Sequence, residues 1–224
     1  MSSRPKKGPS ATEALIARNQ RAWHPRTYEA WFRLNPFQAL LREREKMASL
    51  AGVARWALPG HSVLEVGCGT GHYTLPLARA CNRVMAVDSS VDMLRFLERR
   101  LRKRAVTNVT THRGSLGLSL DLGEQFDGVV AIGLLNYMPD LAAALRTLTS
   151  HLRPGGWAVL SVPLANSNGR FYQLGERLTG RRVWLYSPGA FANVAARQGL
   201  RVERATPAGV SRRGLTLVNE ARLV

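Results

Sequence analysis

Hydrophobic residues along the chain fall into two patterns, short continuous runs and stripes of helical spacing. Continuous apolar runs with β-branched residues are typical of strands buried in a parallel sheet, and apolar residues every three or four positions predict helices. The predicted strands cover residues 62–66, 83–87, 109–112, 126–132, 157–162, 201–205 and 215–223, and the predicted helices 14–23, 38–58, 70–80, 90–105, 140–152 and 188–198. Because strands alternate with helices, the pattern indicates an α/β fold with right-handed crossovers.

Capping residues and helix faces add detail to this pattern. The helix over 38–58 has an apolar stripe at positions 40, 47, 50, 51, 54 and 58, with Arg and Glu on the other face. Ser89 or Ser90 is a suitable cap for the helix that follows the second strand, and Ser187 with Pro188 has the sequence of a helix start.

The chain divides into three parts around this pattern. Residues 1–12 are charged and rich in Pro, Gly and Ser, which predicts a disordered basic tail. Residues 13–45 concentrate aromatic side chains on a polar background, so they form a lid over a site or a helix docked on the sheet's edge. Residues 46–224 form the α/β domain. Within it, residues 164–186 make a long insert of arginines among aromatics, and a loop of this length usually has a function or is mobile.

Composition excludes several classes of protein. A length of 224 residues with 45% hydrophobic content fits one α/β domain with a sizeable core. No run approaches the length of a membrane span, and no apolar core of a signal peptide follows the N-terminus, so we expect a cytoplasmic protein. Cys68 and Cys81 have neither metal nor redox spacing. We therefore predict no metal site and no disulfide.

The net charge of +17 is the unusual bulk property, with 32 basic residues against 15 acidic ones. One interpretation is attraction to RNA, to an anionic membrane surface or to an acidic substrate. The other is a general arginine bias spread over solvated faces, because the arginines are distributed along the whole chain. Charge alone therefore does not select a partner.

A glycine-rich turn follows the first predicted strand and precedes a helix. Gly67, Gly69 and Gly71 are spaced GxGxG, and glycines allow a ligand to lie against the backbone beside the free N–H groups of the turn and helix. Asp88 ends the next strand, where a doubly wound fold places a carboxylate that binds ribose hydroxyls. Together these features favour a nucleoside site over a plain connection.

Four motifs in order identify a family. E-V-G-C-G-T-G at 65–71 resembles motif I of the class I S-adenosylmethionine-dependent methyltransferases, E-x-G-x-G-x-G, whereas dinucleotide folds carry GxGxxG. The segments 84–89, 126–138 and 152–163 resemble the family's second strand, fourth strand with its loop, and fifth-strand entry. The resemblance covers roughly residues 45–224. It implies a Rossmann-like, doubly wound sheet of seven strands, mostly parallel with an antiparallel last strand, with helices on both faces.

The resemblance also implies a site for S-adenosylmethionine. Its residues are Glu65, Gly67, Cys68, Gly69, Gly71, Asp88, Ser89, Met93, Ser115, Leu116, Gly133 and Asn136. Glu65 and the glycine backbone would hold the methionine half of the cofactor, and Asp88 the ribose. Met93 would lie under adenine or simply belong to the core. Ser115 stands where the family usually has an acidic residue at the adenine amino group, so a serine hydroxyl or the Leu116 N–H would have to replace that contact.

Methyl transfer from a sulfonium requires positioning and exclusion of water more than it requires a nucleophile. If the acceptor needs a base, His72 is the best placed candidate because it directly follows the glycine loop, and His24 and Tyr28 in the lid segment are the others. Tyr137 also lies near the expected cleft. His151 is set aside because a histidine at a helix end is explained by the helix dipole.

The acceptor itself is left open between three hypotheses. The segment Y-E-A-W-F at 28–32 resembles a stretch ahead of motif I in small-molecule methyltransferases, and together with the insert it favours O- or C-methylation of a small hydrophobic or aromatic molecule. The arrangement looks like the ubiquinone, menaquinone and tetrapyrrole types. The alternatives are an RNA methyltransferase that uses the basic surface and a non-catalytic, cofactor-binding partner subunit. Sequence does not predict the oligomeric state.

Overall fold

The computed structural model describes residues 24–34, 36–116, 120–209 and 214–224. The predicted tail at 1–12 and the predicted helix at 14–23 lie outside these residues. The described chain forms a sheet of seven strands in the order β3-β2-β1-β4-β5-β7-β6. The strands are β1 Ser62–Val66, β2 Arg83–Asp88, β3 Val109–Arg113, β4 Phe126–Ala131, β5 Leu152–Pro163, β6 Leu200–Ala208 and β7 Thr216–Leu223.

Strand direction confirms the predicted fold class. β1 pairs in parallel with β2 and β4, and the pairs β2–β3 and β4–β5 are also parallel. β7 runs antiparallel to both β5 and β6. The strand order reverses between β1 and β4, and in such sheets ligands bind in the crevice at the carboxyl ends of the strands at that point.

Helices connect the strands and cover both faces of the sheet. Those described are α1 Pro25–Leu34, α2 Pro36–Trp56, α3 Thr74–Ala80, α4 Val91–Lys103, α5 Leu141–Ser150, α6 Ser167–Leu178 and α7 Pro188–Ala196, with a 3-10 turn at Leu135–Tyr137. Ser90 caps α4 by accepting the Met93 N–H, and Ser187 caps α7 by accepting the Ala190 N–H. These two helix starts are therefore as predicted.

The core consists of two main apolar clusters, one on each side of the sheet. Phe126, Leu145 and Phe191 belong to one cluster, and Leu77 and Val159 to the other; all five are fully buried. Burying a side chain of this size contributes about 1.5–3 kcal/mol. This packing fixes the carboxyl ends of β1, β2 and β4, from which the glycine turn and the loops around it extend.

Several predicted elements differ in extent from the observed ones, among them the fifth strand, which was predicted to begin at residue 157 and begins at Leu152. The helix predicted over 70–80 begins only at Thr74, because Gly69 and Gly71 have positive φ values of 52° and 87° that a right-handed helix does not allow. The insert at 164–186, read from sequence as a long loop, contains the 12-residue helix α6. Asn166 caps α6 by accepting the Gly169 N–H at 2.9 Å.

The apolar stripe predicted for the helix over 38–58 is not the face that α2 buries. Leu40 and Met47 are exposed, whereas Ser49 is fully buried. Gly52 lies against the buried Glu220 of β7, to which Trp56 donates at 3.0 Å. The inward face of α2 thus combines polar contacts with the sheet and the core residue Val53. Among the helices that the structure describes, none has the length and apolarity needed to cross a membrane.

Candidate functional site

The glycine turn lies between β1 and α3 at the crevice of the sheet. Gly67, Gly69 and Gly71 all have positive φ, and the N–H groups of Gly67 and Cys68 donate to the Val87 carbonyl of β2 at 2.8 and 3.0 Å. The Gly71 N–H donates to the Cys68 carbonyl at 2.9 Å. These bonds hold the turn against the end of β2.

The glycines of this turn meet different surroundings. A Cβ on Gly71 would lie 2.4 Å from Leu97 Cδ1, and one on Gly67 would lie 3.2 Å from Leu134 Cδ2. A Cβ on Gly69 would meet nothing within 4 Å. Gly71 is thus required for packing, whereas Gly69 keeps open a space above its backbone, as a ligand that lies against the turn needs.

Asp88 closes one side of that space from the end of β2. Its two carboxylate oxygens accept the N–H groups of Gly69 at 2.8 Å and of Ser90 at 2.9 Å. Burial raises the pKa of Asp88, and the backbone hydrogen bonds oppose that rise. Each oxygen has a further lone pair, so the carboxylate can also accept two ligand hydroxyls.

Glu65 lies beneath the turn and does not line the cavity. Its side chain is buried on β1, and its Oε2 accepts the Thr74 hydroxyl at 2.6 Å. Burial raises the pKa of Glu65 to about 8, and the negative charge of Asp88 adds to the rise. Its observed role is therefore to join β1 to the start of α3.

A cavity of about 860 Å³ extends from the turn to α6. Nearly all the residues predicted for the cofactor line it: Gly67, Cys68, Gly69, Asp88, Ser89, Met93, Ser115, Leu116, Gly133 and Asn136. Glu65 and Gly71 support the turn from below. A Cβ on Gly133 would meet nothing within 4 Å, and the Gly133 N–H donates to Ser161 Oγ at 2.8 Å. The Gly133 backbone thus forms part of the cavity wall.

Helices α1 and α2 cover the turn from above. Glu29 of α1 accepts hydrogen bonds from the Thr70 hydroxyl and from His72 Nε2, the latter at 2.8 Å. The bond from His72 is the largest of the effects that lower the pKa of Glu29 to about 2. Tyr28 lines the cavity, and Arg42 of α2 donates to its hydroxyl. Burial raises the pKa of Tyr28.

Glu45 is a carboxyl group at the cavity wall that the sequence did not single out. It extends from α2, and the hydroxyls of Ser161 and Thr216 are hydrogen-bonded to it. Since Ser161 Oγ also accepts the Gly133 N–H, a short chain of bonds links Glu45 to the backbone beside the turn. Burial raises the pKa of Glu45, while Arg42 opposes the rise.

A polar network closes the other end of the cavity. Asn136 donates to the Tyr172 hydroxyl at 3.1 Å, and the Tyr172 and Tyr137 hydroxyls are hydrogen-bonded to each other. Tyr137 donates to Glu176 at 3.4 Å, and Arg181 pairs with Glu176 through two nitrogens. Burial raises the pKa of both tyrosines, so their hydroxyls stay protonated at neutral pH.

The three candidate catalytic residues occupy different places. Tyr28 and His72 line the cavity, although His72 is also bonded to Glu29. His24 is exposed before α1, accepts the Arg26 N–H at 3.3 Å and is not a lining residue. His151, set aside earlier, is buried and donates to the Thr147 carbonyl at 2.8 Å while accepting the Leu122 N–H.

Several lining residues have no motif in the sequence. They are Arg42, Glu45, Tyr172, Glu176 and Arg181. The signals available for them were weak: a helical repeat of apolar residues in the insert, and a capping Asn166. Within the described ranges, no group of His, Cys, Asp and Glu is arranged to hold a metal ion.

A doubly wound sheet with a glycine turn and a carboxylate at the end of β2 defines a nucleoside-binding α/β protein. The family described as "Methyltransferase domain" matches residues 28–205. The chain therefore belongs to the methyltransferase domain family, and the predicted class is confirmed at the level of family and fold.

Curated relatives match the chain over part of its length. The ubiquinone biosynthesis O-methyltransferase of Xanthomonas campestris is 32% identical over 108 residues, which cover 48% of this chain and 45% of that protein. The cypemycin N-terminal methyltransferase of a Streptomyces species is 36% identical over 119 residues, covering 49% of this chain and 47% of that protein. The match thus spans about half the length of these relatives.

Solved structures show the same fold over nearly the whole chain. Magnesium protoporphyrin IX methyltransferase from Synechocystis PCC 6803, solved with bound SAH, has a TM-score of 0.75 at 20% identity. It covers 93% of this chain and 99% of that chain. The N-methyltransferase NodS from Bradyrhizobium japonicum, also with SAH, has a TM-score of 0.67 at 20% identity, covering 95% of this chain and 98% of that chain.

Proposed function

We propose that the protein is an S-adenosylmethionine-dependent methyltransferase whose acceptor is a small hydrophobic or aromatic molecule. The observation that carries the proposal is the open space above Gly69, which faces the Asp88 carboxylate inside one large cavity. The motifs, the methyltransferase family and the fold all agree with it.

The donor half of the cavity fits the cofactor residue by residue. The Asp88 oxygens accept the ribose hydroxyls, and the Gly67 and Gly69 backbone together with Gly133 borders the methionine half. Met93 and Leu116 are buried apolar side chains at the wall, where adenine packs, and Ser115 lines the same wall with a hydroxyl that can bind it. Glu65 acts from below by holding the turn.

The acceptor half is wide and rich in tyrosine. A cavity of about 860 Å³ lies at the upper end of the range of about 300–1,000 Å³ for ligand sites, so an acceptor has room beside the cofactor. Tyr28, Tyr137 and Tyr172 line that half, together with Phe171. Aromatic walls with hydroxyl edges suit an aromatic ring that carries a polar group. The name of the ubiquinone biosynthesis O-methyltransferase supports this acceptor class, whereas the cypemycin N-terminal methyltransferase is named for a different acceptor.

When bound, the cofactor would supply an electrophilic methyl group on its sulfonium sulfur; the acceptor atom would bond to the methyl carbon in line as the carbon–sulfur bond breaks, which would leave S-adenosylhomocysteine. The chain's own residues must therefore orient the acceptor and exclude water, which α1 and α2 do by covering the cavity. We assign Glu45 as the group that accepts the acceptor's proton. Glu176 is engaged by Arg181, Asp88 by backbone N–H groups and Glu29 by His72. Glu45 is held by two hydroxyls beside Gly133, and the charge of Arg42 favours its ionised form.

Of the segment 13–45, the described residues 24–34 and 36–45 act in this proposal as the lid, and residues 164–186 act as the substrate-side insert. We also propose that the enzyme works in the cytoplasm. The two cysteines are free and buried, which agrees with a reducing compartment.

Calorimetric titration with S-adenosylmethionine and S-adenosylhomocysteine tests the donor site. We expect Asp88→Asn to weaken binding of both by about 10- to 100-fold, because hydrogen bonds to a charged group are lost. Asp92→Asn is the matched control, since Asp92 is exposed in the first turn of α4 outside the cavity. Absence of binding by the unaltered protein would refute the proposal, and binding without methyl transfer to any phenol, quinol or amine would indicate a non-catalytic partner subunit.

A further inference from the structure

Helix α6 has two faces of opposite character. Asn168, Tyr172, Gly175 and Glu176 line the cavity, so they define the inner face. Next to that face, the apolar residues Phe171, Leu174 and Leu178 follow the spacing of one helical stripe and are 76%, 55% and 81% exposed. An amphipathic helix normally turns its apolar stripe toward the core. Here the stripe faces outward.

Arginines flank the outward stripe. Arg170 and Arg177 are exposed, lie seven residues apart and project beside Leu174 on a helical wheel. The single acidic residue of the helix, Glu176, is on the inner face and pairs with Arg181. The outer face of α6 is thus apolar and positive, in a protein of net charge +17.

The outer face also lies at the rim of the cavity. Phe171 is 76% exposed and at the same time belongs to the cavity lining, whereas Leu174 and Leu178 do not line it. A surface that received α6 would therefore stand next to the cavity mouth.

We propose that the outer face of α6 docks on an anionic lipid surface. An exposed apolar stripe bordered by arginines is the arrangement with which interfacial helices insert their apolar side chains among acyl chains and place their cations at lipid phosphates. RNA phosphates would bind the arginines, but RNA would not bury the three exposed apolar side chains of the stripe. The proposal rests on this surface and not on the methyl transfer proposed above.

Sedimentation with lipid vesicles tests the proposal directly. We expect the full chain to bind vesicles that contain phosphatidylglycerol, to bind pure phosphatidylcholine much more weakly, and to lose affinity at high salt. Leu174→Gln should reduce binding by about tenfold, because one leucine no longer leaves water, and adding Leu178→Gln should reduce it further. Affinity for S-adenosylhomocysteine should not change, since neither residue lines the cavity.

Two matched controls separate the stripe from general hydrophobicity and charge. Leu58→Gln changes a leucine of similar exposure, 58%, next to the N-terminal end of β1 and therefore on the far edge of the sheet. Arg95→Gln with Arg102→Gln removes two exposed arginines seven residues apart on α4, as Arg170→Gln with Arg177→Gln does on α6. We expect only the α6 pair to lower binding to anionic vesicles, by about tenfold or more.

Each contrary result overturns the proposal. If replacing the α4 arginine pair lowered vesicle affinity as much as replacing the α6 pair, the attraction between protein and vesicle would be a non-specific effect of charge. A dimer that dissociates with Leu174→Gln and has no vesicle affinity would make a second copy of the chain the occupant of this face. Binding of an RNA oligonucleotide that competes with vesicles and is insensitive to Leu174→Gln would assign the arginines to RNA.

Discussion

The two halves of the cavity are built from different parts of the polypeptide. The donor half is mostly backbone: the turn from Gly67 to Gly71 with its N–H groups, and one carboxylate that accepts the N–H of Gly69 in the turn and that of Ser90. The acceptor half is made of side chains from α1, α2, α6 and the loop after β4, separated by up to about 150 residues along the chain. The donor half therefore depends on positions whose backbone conformation requires glycine. The acceptor half depends on which side chains the fold brings together.

This difference determines how each half should respond to substitution. A backbone site is disturbed chiefly by adding a Cβ where φ is positive, and the damage shows first in folding or cofactor binding. A site made of side chains can lose one functional group while the fold and the donor half remain intact. Five substitutions, arranged in four predictions from the largest expected effect to the smallest, test this separation.

Glu45→Gln should have the largest effect and should act on the acceptor half alone. If Glu45 accepts the acceptor's proton, kcat/KM should fall by about 10²- to 10⁴-fold, while the affinity for S-adenosylhomocysteine stays unchanged. The measurement is the initial rate of S-adenosylhomocysteine formation with the best acceptor from a panel of phenols, quinols and amines. Glu43→Gln is the control, because Glu43 is exposed on the same helix and pairs with Lys46 at its surface. Full turnover by Glu45→Gln would remove Glu45 from the mechanism.

Gly71→Ala and Gly69→Ala should separate packing from ligand contact within the donor half. At Gly71 the new Cβ would lie 2.4 Å from Leu97 Cδ1 at a φ of 87°, so we expect a loss of about 2–4 kcal/mol in unfolding free energy. At Gly69 the Cβ meets nothing, so we expect a smaller loss of about 1–2 kcal/mol but weaker binding of S-adenosylhomocysteine. Urea denaturation and calorimetry measure the two effects. A larger loss of unfolding free energy from Gly69→Ala than from Gly71→Ala would show that Gly69, and not Gly71, is the structural glycine.

The same separation explains what the sequence could predict. The strands were located to within a few residues because buried parallel strands are continuous apolar runs, and the donor residues lie in contiguous motifs. Tyr172 and Glu176 were missed because α6 contains two glycines, which lower helix propensity. Gly169 is nevertheless required there, since a Cβ would lie 1.8 Å from the Leu164 carbonyl oxygen.

Glu45 was missed for another reason. It belongs to the charged run L-R-E-R-E-K at 41–46, which on pattern alone indicates a solvated helix face. In the structure, Glu45 and Ser49 instead lie on the inward side of α2, toward the cavity and the sheet. Periodicity ranks faces by hydrophobicity, so it does not identify a face on which Glu45 and Ser49 lie inward beside Val53.

Glu65→Gln should reveal the buried carboxyl that supports the donor half. Since the pKa of Glu65 is raised to about 8 in the folded protein, the folded state retains a proton that the unfolded chain releases near pH 4.3. Stability should therefore fall as pH rises from about 5 to about 8, by no more than about 1.4 kcal/mol per pH unit from this group.

Urea denaturation across this pH range measures that slope. Glu65→Gln should flatten it, whereas Glu98→Gln should not, although Glu98 also accepts a threonine hydroxyl, that of Thr111. A slope that persists in Glu65→Gln would assign the titration to another group.

Glu29→Gln should have the smallest effect and should act where the two halves meet. Glu29 connects the lid helix α1 to the glycine turn through Thr70 and His72, and Arg100 lies 4.0 Å away. The carboxylate is about one-third exposed, so we expect a loss of only about 0.5–1 kcal/mol in unfolding free energy at pH 7.

The effect of Glu29→Gln should also depend on pH. Because the pKa of Glu29 is lowered to about 2, its stabilisation is present above about pH 4.3 and disappears as pH falls toward 2. Urea denaturation at pH 7 and pH 3 measures this effect, with Glu43→Gln as the exposed control on α2. The difference in unfolding free energy between the unaltered protein and Glu29→Gln should be smaller at pH 3 than at pH 7. If Glu29→Gln also accelerates dissociation of S-adenosylhomocysteine, the acceptor-side lid and the donor-side turn are coupled; an unchanged dissociation rate would leave the two halves energetically independent.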